Sequence, residues 1–288
     1  MDSALHQSYS NVEVIVVDDG STDETVEVLK SYGDKIKTIV QENKGAAAAR
    51  NRGIQEASGE YLTFLDADDS YQLENIEKKI LFLNENPEYQ WCYSDWAWVD
   101  ETGLVQMYGH EPKVSLAHLK ASGDVLNLAL RGYRLGTNVF MFKRALIDKL
   151  QGFDESLKVL EDYDFYVRAA ALSPLGFVDE VLCHIYQHTG SLGTDCDKAV
   201  AYQNRLRLHK KMNRLFAENL KEEVVAKDWR LQQADLYRNL SALALVENHY
   251  QRAGIFLCTS LKYKKWQLGI LKLWFKIVWQ RMRLNANT

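Results

Sequence analysis

The stretch Tyr61-Leu-Thr-Phe-Leu-Asp-Ala-Asp-Asp69 leaves this chain few ways to fold. Residues 61–65 are large or β-branched and uncharged, which predicts a buried strand. That strand runs straight into Asp66, Asp68 and Asp69. Carboxylates closing a core strand are costly unless a cation or a solvated cleft receives them. In open α/β sheets, ligands sit just past the carboxyl ends of strands. Alternate carboxylates at that point suit a hard divalent ion that also grips phosphates. Asp66, Asp68 and Glu77 imitate the spacing of a calcium loop, but Tyr71 stands where that loop needs glycine and a strand precedes it, so that reading is set aside.

Upstream, Asn11-Val-Glu-Val-Ile-Val-Val17 reads as a strand, and Asp18-Asp19-Gly20-Ser21 follows it. Ser21 and Glu24 have the spacing of a capping box, predicting a helix over 22–31. One carboxylate there could merely shape the turn; two in succession beside Gly20 favour a ligand. A short strand over 36–41 leads to Asn43-Lys44-Gly45, which opens an alanine-rich helix to about residue 57. Arg50 and Arg52 fall on different faces of it, so at most one points into a cleft. Apolar Leu73, Ile76, Ile80 and Leu83 predict a helix over 72–86. A hairpin is expected from 89–99 and 104–108, and its aromatic residues Trp91, Tyr93, Trp96 and Trp98 read as core before they read as a sugar platform. Residues 109–137 are expected to cover the cleft mouth, with a helix near 115–130.

Val17-Asp-Asp-Gly-Ser-Thr-Asp23, Asn43-Lys-Gly-Ala-Ala-Ala-Ala-Arg-Asn-Arg-Gly53 and Phe64-Leu-Asp-Ala-Asp-Asp69 together resemble the family 2 glycosyltransferases of the GT-A fold. The likeness extends to about residue 192. It implies an α/β domain with a mixed central sheet over 1–197, followed by a helical C-terminal region over 198–288. It also implies residue roles. Asp19 would accept the imide N–H of uracil, with Asp18 beside it, and Arg50 would lie near the base and diphosphate. Asp66 would bind ribose. Asp68 would coordinate Mn²⁺ or Mg²⁺ bridging the diphosphate, and Asp69 would be a helix cap or a supporting group.

A second acidic centre lies in Gln151-Gly-Phe-Asp-Glu155 and Leu160-Glu-Asp-Tyr-Asp-Phe-Tyr-Val-Arg168. A carboxylate at a helix N-terminus is stabilised as its anion, and a base acting on a sugar hydroxyl has to be ionised. The resemblance makes Asp162 that base and Glu161 a supporting or acceptor-binding group, with Asp164 an ordinary first-turn acid. Strands are expected over 175–178 and 181–186. In the family a histidine such as His188 can complete the metal or diphosphate site, although Ile185-Tyr186 stand here where Tyr-Arg is usual; His184 faces the same side by strand alternation.

The implied reaction is inverting, metal-dependent transfer of a sugar from a nucleotide-sugar, a UDP-sugar in this reading, to a hydroxyl acceptor on a glycan or lipid-linked glycan of the cell envelope. The family opens on a strand of the Val-Ile-Ile-Pro-Thr-Tyr-Asn kind, whereas Met1 here falls in the following helix. The expectation is an N-terminally truncated domain with a bare sheet edge. Two rivals therefore stand: a non-catalytic remnant binding nucleotide, sugar or a protein, and a polyisoprenyl-phosphate sugar transferase, against which Glu161-Asp162 argues.

Charge is unevenly spread. The net −4 combines +8 from the eight Lys and Arg of residues 251–288, which contain no acid, with −12 in the rest. That acidic body speaks against nucleic acid as a partner. Cys92, Cys183, Cys196 and Cys258 have no paired spacing and read as reduced thiols of a cytoplasmic protein. No secretion signal opens the chain and no run is long enough to span a bilayer. Trp266–Arg283 is apolar with a basic edge, suiting either peripheral contact with the inner face of the plasma membrane through 264–283 or packing on the helices before it. Those helices, over 198–218, 222–246 and 250–261, read as a cap, the last two faintly resembling one tetratricopeptide hairpin.

Overall fold

A computed structural model describes residues 1–100, 102–108, 120–132, 135–186, 197–247, 249–264, 273–274 and 276–278. The chain divides into two compact units, Met1–Asp195 and Cys196–Thr288.

In the first unit, a mixed sheet runs in the order β3 (Tyr61–Thr63), β7 (Phe140–Lys143), β5 (Trp91–Val99), β8 (Leu175–Tyr186), β4 (Ser70–Tyr71), with β6 (Val105–Tyr108) also on β5. β7 is antiparallel to both β3 and β5, and β8 is parallel to β5. Strands β3, β5 and β8 therefore point the same way and deliver their carboxyl ends to one edge. β1 (Ile15–Asp18) and β2 (Lys37–Val40) form a separate parallel pair. Among the described residues β1 pairs only with β2 and β3 only with β7, so each keeps an edge without a strand neighbour.

Both faces of the mixed sheet are covered. On one face Trp91 stacks on Phe142 at 5.6 Å, and Phe142 meets Phe165 of α7 (Glu161–Ala170) edge-on at 5.3 Å. On the other, Ile76, Ile80 and Leu83 of α4 (Asn75–Glu85) pack with Cys92, Met141, Val178 and Leu182. Trp91, Tyr93 and Trp96 are buried core residues, whereas Trp98 is partly exposed. One residue of α4 breaks the apolar pattern. Lys79 is fully buried, with its ammonium 5.7 Å from the Tyr71 ring and no hydrogen-bond partner among the described residues.

Some expected elements differ. The helix after β1 is α2 (Thr25–Ser31), three residues shorter than the capping-box spacing suggests. Ser21 donates its hydroxyl to Asp18 instead, and Asp23 accepts the Thr25 N–H at 3.0 Å. The two strands expected over 175–186 are one: Ser94 pairs with Val178 and Asp95 with Val181, so Asp179 and Glu180 are absorbed as a bulge rather than a turn. Of the helix expected near 115–130, only α5 (Leu126–Leu130) is helical among the described residues: 120–125 are not, Gly123 being bridged to Leu175, and 109–119 lie outside the described set. Before the acidic turn come α1 (Asp2–Leu5) and α3 (Ala46–Glu56), and α6 (Arg144–Leu150) follows β7.

The second unit is helical: α8 (Lys198–Leu215), α9 (Glu223–Val246) and α10 (Tyr250–Tyr263). Small residues bring α9 and α10 close, with Ser241 donating to the Ala253 carbonyl and Ser260 to the Ala234 carbonyl. The Trp229 indole donates to Asn213 and stacks on His209 at 4.5 Å, joining α8 to α9. Most of 264–283 lies outside the described residues; within it, Ile277 is buried against Ala244, Leu245, Ala253 and Leu257, and Trp274 is half-exposed. Among the described residues no helix is long and apolar enough to cross a membrane.

Candidate active site

The acidic stretch after β3 is a tight turn, closed by the Asp69 N–H on the Asp66 carbonyl at 3.1 Å. Asn138 fixes it from across the sheet, accepting from the Asp66 N–H at 3.0 Å and donating to the Asp69 carboxylate. The other oxygen of Asp69 accepts the Tyr186 N–H at 2.9 Å, tying the turn to the end of β8. The Tyr71 hydroxyl donates to the Phe64 carbonyl at 2.6 Å and sets the approach. Asp69 is thus buried and structural, a clamp between strands and not a helix cap, while Asp68 is exposed at the turn and Asp66 is partly exposed.

Arg50 comes to this turn from α3. Its guanidinium donates to Asp66 at 2.9 Å and to Glu161 at 2.7 Å, although Glu161 lies 111 residues away in sequence. Burial opposes its charge, but Asp66 and Glu161 more than offset this and hold the proton more firmly than usual. Arg52 instead pairs with Glu56 on the outer face, which resolves the choice between the two arginines. The Phe153 ring lies 5.6 Å from the Arg50 guanidinium, and Phe153 itself stacks on Phe165 at 4.0 Å.

Asn51, next in the chain, explains the Gly-Phe-Asp-Glu stretch. Its carboxamide accepts the Phe153 N–H at 2.7 Å and donates to the Phe153 carbonyl at 3.0 Å and to Glu155 at 2.8 Å. Gly152 has φ +80°, and a Cβ there would stand 2.5 Å from the Asn51 side-chain oxygen. Only glycine fits that approach.

Helix α7 begins at Glu161 after Leu160, whose φ of 67° is a strained left-handed conformation for a branched residue. Glu161 is buried against Arg50 and Asp162 is half-buried, its carboxylate accepting the Tyr163 N–H at 2.7 Å. Asp164 departs from expectation. It is fully buried and paired with Arg168 at 2.7 Å, and Arg168 also donates to the carbonyls of Leu150 and Gly152. A first-turn acid reads as solvated in sequence; here the Arg168 four residues on turns it inward as an anchor for the loop that holds Phe153.

The first acidic pair separates into two environments. Asp18 is buried and accepts from the N–H and hydroxyl of Ser21. Asp19 is half-buried and accepts from the Gln41 side chain at 2.7 Å, the Lys44 N–H at 2.9 Å and the Gly45 N–H at 2.6 Å. Burial alone would raise the Asp19 pKa, but these donors and the positive charge of Lys158 lower it. Lys158 donates to the Lys44 carbonyl at 2.9 Å, so the segments around Lys44 and Lys158 meet beside Asp19.

The geometry therefore brings Asp66, Arg50 and Glu161 into direct contact, with Asp68 and Asp162 adjacent to them in the chain. His188 lies outside the described residues, as do residues 109–119. His184 hydrogen-bonds to Gln72 beside β4, and burial lowers its pKa. Among the described residues no group of three His, Cys, Asp or Glu gathers as a metal site. The Asp66–Asp68 turn nevertheless offers hard oxygen donors, and Mg²⁺-like ions are commonly held by one or two carboxylates plus substrate phosphates. Asn51 and Asn138 were not legible as site residues, because nothing local distinguishes a buried, fully bonded asparagine from a loop asparagine.

The model of "Glycosyl transferase family 2" matches residues 1–146. An uncharacterized glycosyltransferase of Rickettsia prowazekii is 35% identical over 184 residues, covering 63% of this chain and 57% of that protein. The chain therefore spans little more than half the length of that relative. The putative glycosyltransferase EpsH of Bacillus subtilis is 26% identical over 243 residues, covering 79% and 67%. Among solved structures, S. aureus TarS 1-349 in complex with UDP-GlcNAc aligns with a TM-score of 0.54 at 18% identity, over 91% of this chain and 83% of that one. The same TarS segment in complex with UDP gives 0.52. The fold is the expected mixed-sheet GT-A type, and the chain belongs to glycosyl transferase family 2.

Proposed function

We propose that this protein transfers a sugar from a UDP-sugar to a hydroxyl acceptor, with inversion at the anomeric carbon. The observation that carries this reading is the Asp66–Arg50–Glu161 contact, which joins the turn that would hold the donor to the helix that would hold the base. The complexes of TarS with UDP and UDP-GlcNAc support the donor class.

Asp19 would take the imide N–H of the base. Its carboxylate has about four lone-pair sites, three donors already occupy part of that capacity, and it is less buried than Asp18. Asp18 would stand behind it and shape the turn. Asp66 would meet the ribose, and Arg50 would lie near the diphosphate. Asp68, with Asp66 beside it, would hold Mn²⁺ or Mg²⁺, which when bound supplies Lewis-acid stabilisation of the leaving diphosphate.

Asp162 would act as general base from the first turn of α7, where the helix N-terminus favours its ionised form. It would take the proton of the acceptor hydroxyl as that oxygen bonds to the anomeric carbon. The bond from that carbon to the diphosphate oxygen breaks on the opposite face, and the electron pair leaves with UDP. Orientation of both substrates in the cleft would add to the rate.

The test is Asp162→Asn, assayed for UDP release from UDP-sugars with Mn²⁺ and for UDP binding by calorimetry. The expected result is a loss of about 10²- to 10⁴-fold in turnover with UDP binding retained. Undiminished turnover would show that Asp162 is not the base.

A further inference from the structure

Glu161 stands next to the proposed base, a position from which it could touch an acceptor. Its contacts point elsewhere. Its side chain is only 11% exposed, and one oxygen is taken by the Arg50 guanidinium at 2.7 Å. Arg50 is similarly enclosed at 14%, and its other terminal nitrogen is on Asp66 at 2.9 Å. The guanidinium has little freedom to leave. Phe153 lies against it at 5.6 Å, and Phe153 is itself held by both backbone bonds to Asn51 and by stacking on Phe165 of α7. Phe64, just before the acidic turn, packs edge-on against Phe153 at 5.3 Å.

We infer that Glu161 is a positioning residue that acts through Arg50: the pair is a rigid strut that sets the first turn of α7, and with it Asp162, at a fixed distance from the donor turn. The inference rests on the glycosyl-transfer reading above. A planar guanidinium suits this task because its fork addresses two carboxylates in fixed directions, which the single ammonium of lysine does not. Aromatic contacts on Arg50 and on both elements that it joins make the strut stiff. Glu161 then contributes to the rate by placing a base, where displacement by about 1 Å can cost on the order of 10²-fold, and does so without meeting the acceptor.

The experiment is a double-mutant cycle of wild type, Glu161→Gln, Arg50→Gln and the pair, with three readouts: UDP affinity by calorimetry, and kcat and KM for UDP release from a panel of UDP-sugars with Mn²⁺, water serving as acceptor. Glu161→Gln is expected to lower kcat about tenfold or more while UDP affinity stays within about twofold. In the Arg50→Gln background the same substitution is expected to change kcat by less than about twofold, because the residue through which it acts is gone. Arg50→Lys is the second background should Arg50→Gln fail to fold, with the same expectation. An equal loss from Glu161→Gln in both backgrounds would overturn the inference and return Glu161 to direct substrate contact. A wild-type protein that neither binds UDP nor releases it would overturn the functional reading beneath it, a result distinct from additivity.

Discussion

Lys79 offers a test of the energetics of the fold that is independent of catalysis. Its ammonium is fully buried on the inner face of α4, without a hydrogen-bond partner among the described residues, facing the Tyr71 ring and near Cys92 and Cys183. Burial lowers its pKa from 10.5 to about 8. The same burial pushes both thiols up to about 12, so neither is ionised where the lysine titrates. A folded-state pKa below the unfolded one means that, between about 8 and 10.5, the unfolded chain holds a proton that the folded chain has released. Stability therefore rises with pH across that window, and the full penalty is present at pH 7. The difference converts to about 3 kcal/mol, from which about 1 kcal/mol of cation–π attraction to Tyr71 is subtracted.

Lys79→Met keeps most of the volume and removes the charge. It should stabilise the protein by about 2 kcal/mol at pH 7 and raise the thermal midpoint by about 4–8 °C for a unit of this size. Thermal or urea unfolding of both proteins from pH 6 to 10.5 measures it, and the difference between them isolates Lys79 from other titrating groups. The gain should shrink as pH rises through 8 and largely vanish near 10.5. A methionine variant less stable than wild type at pH 7, or a gain independent of pH, would refute the reasoning and show that the ammonium is solvated in the folded protein.

Two further outcomes concern the loops that build the site. Gly152→Ala combines a left-handed backbone with a Cβ pressed on Asn51, so thermal unfolding should register a loss of about 2 kcal/mol. Asp19→Asn turns an amide donor toward N–H groups that now meet a carboxylate. It should lower stability at pH 7 by about 1 kcal/mol. The lowered Asp19 pKa means that its contribution is present above the unfolded value of 3.8 and is lost as pH falls through the folded one, so in pH-dependent melts the deficit should close below 3.8.

The local pattern of the chain determined a good deal. The β-branched runs, the alanine-rich helix and the three acidic motifs were enough to predict an α/β sheet with carboxylates at strand ends, since strand and helix periodicities are short-range properties of side chains. Helix periodicity alone did not choose between Arg50 and Arg52, and only the family resemblance implied Arg50, because both suit an exposed helix face until a sheet is placed beneath one of them. Tertiary packing decided that Arg50 would meet Asp66 and Glu161, that Asp164 would turn inward on Arg168, and that Asp69 would clamp Tyr186 and Asn138. It also merged 175–186 into one bulged strand, because pairing with β5 outweighs the turn propensity of Asp179-Glu180. These are contacts between segments far apart in the chain, and a carboxylate carries no local mark of whether its partner is water, a metal or an arginine a hundred residues away. The acidic turn after β3 was legible from its sequence; the Arg50 contacts that tie it to the first turn of α7 exist only in three dimensions.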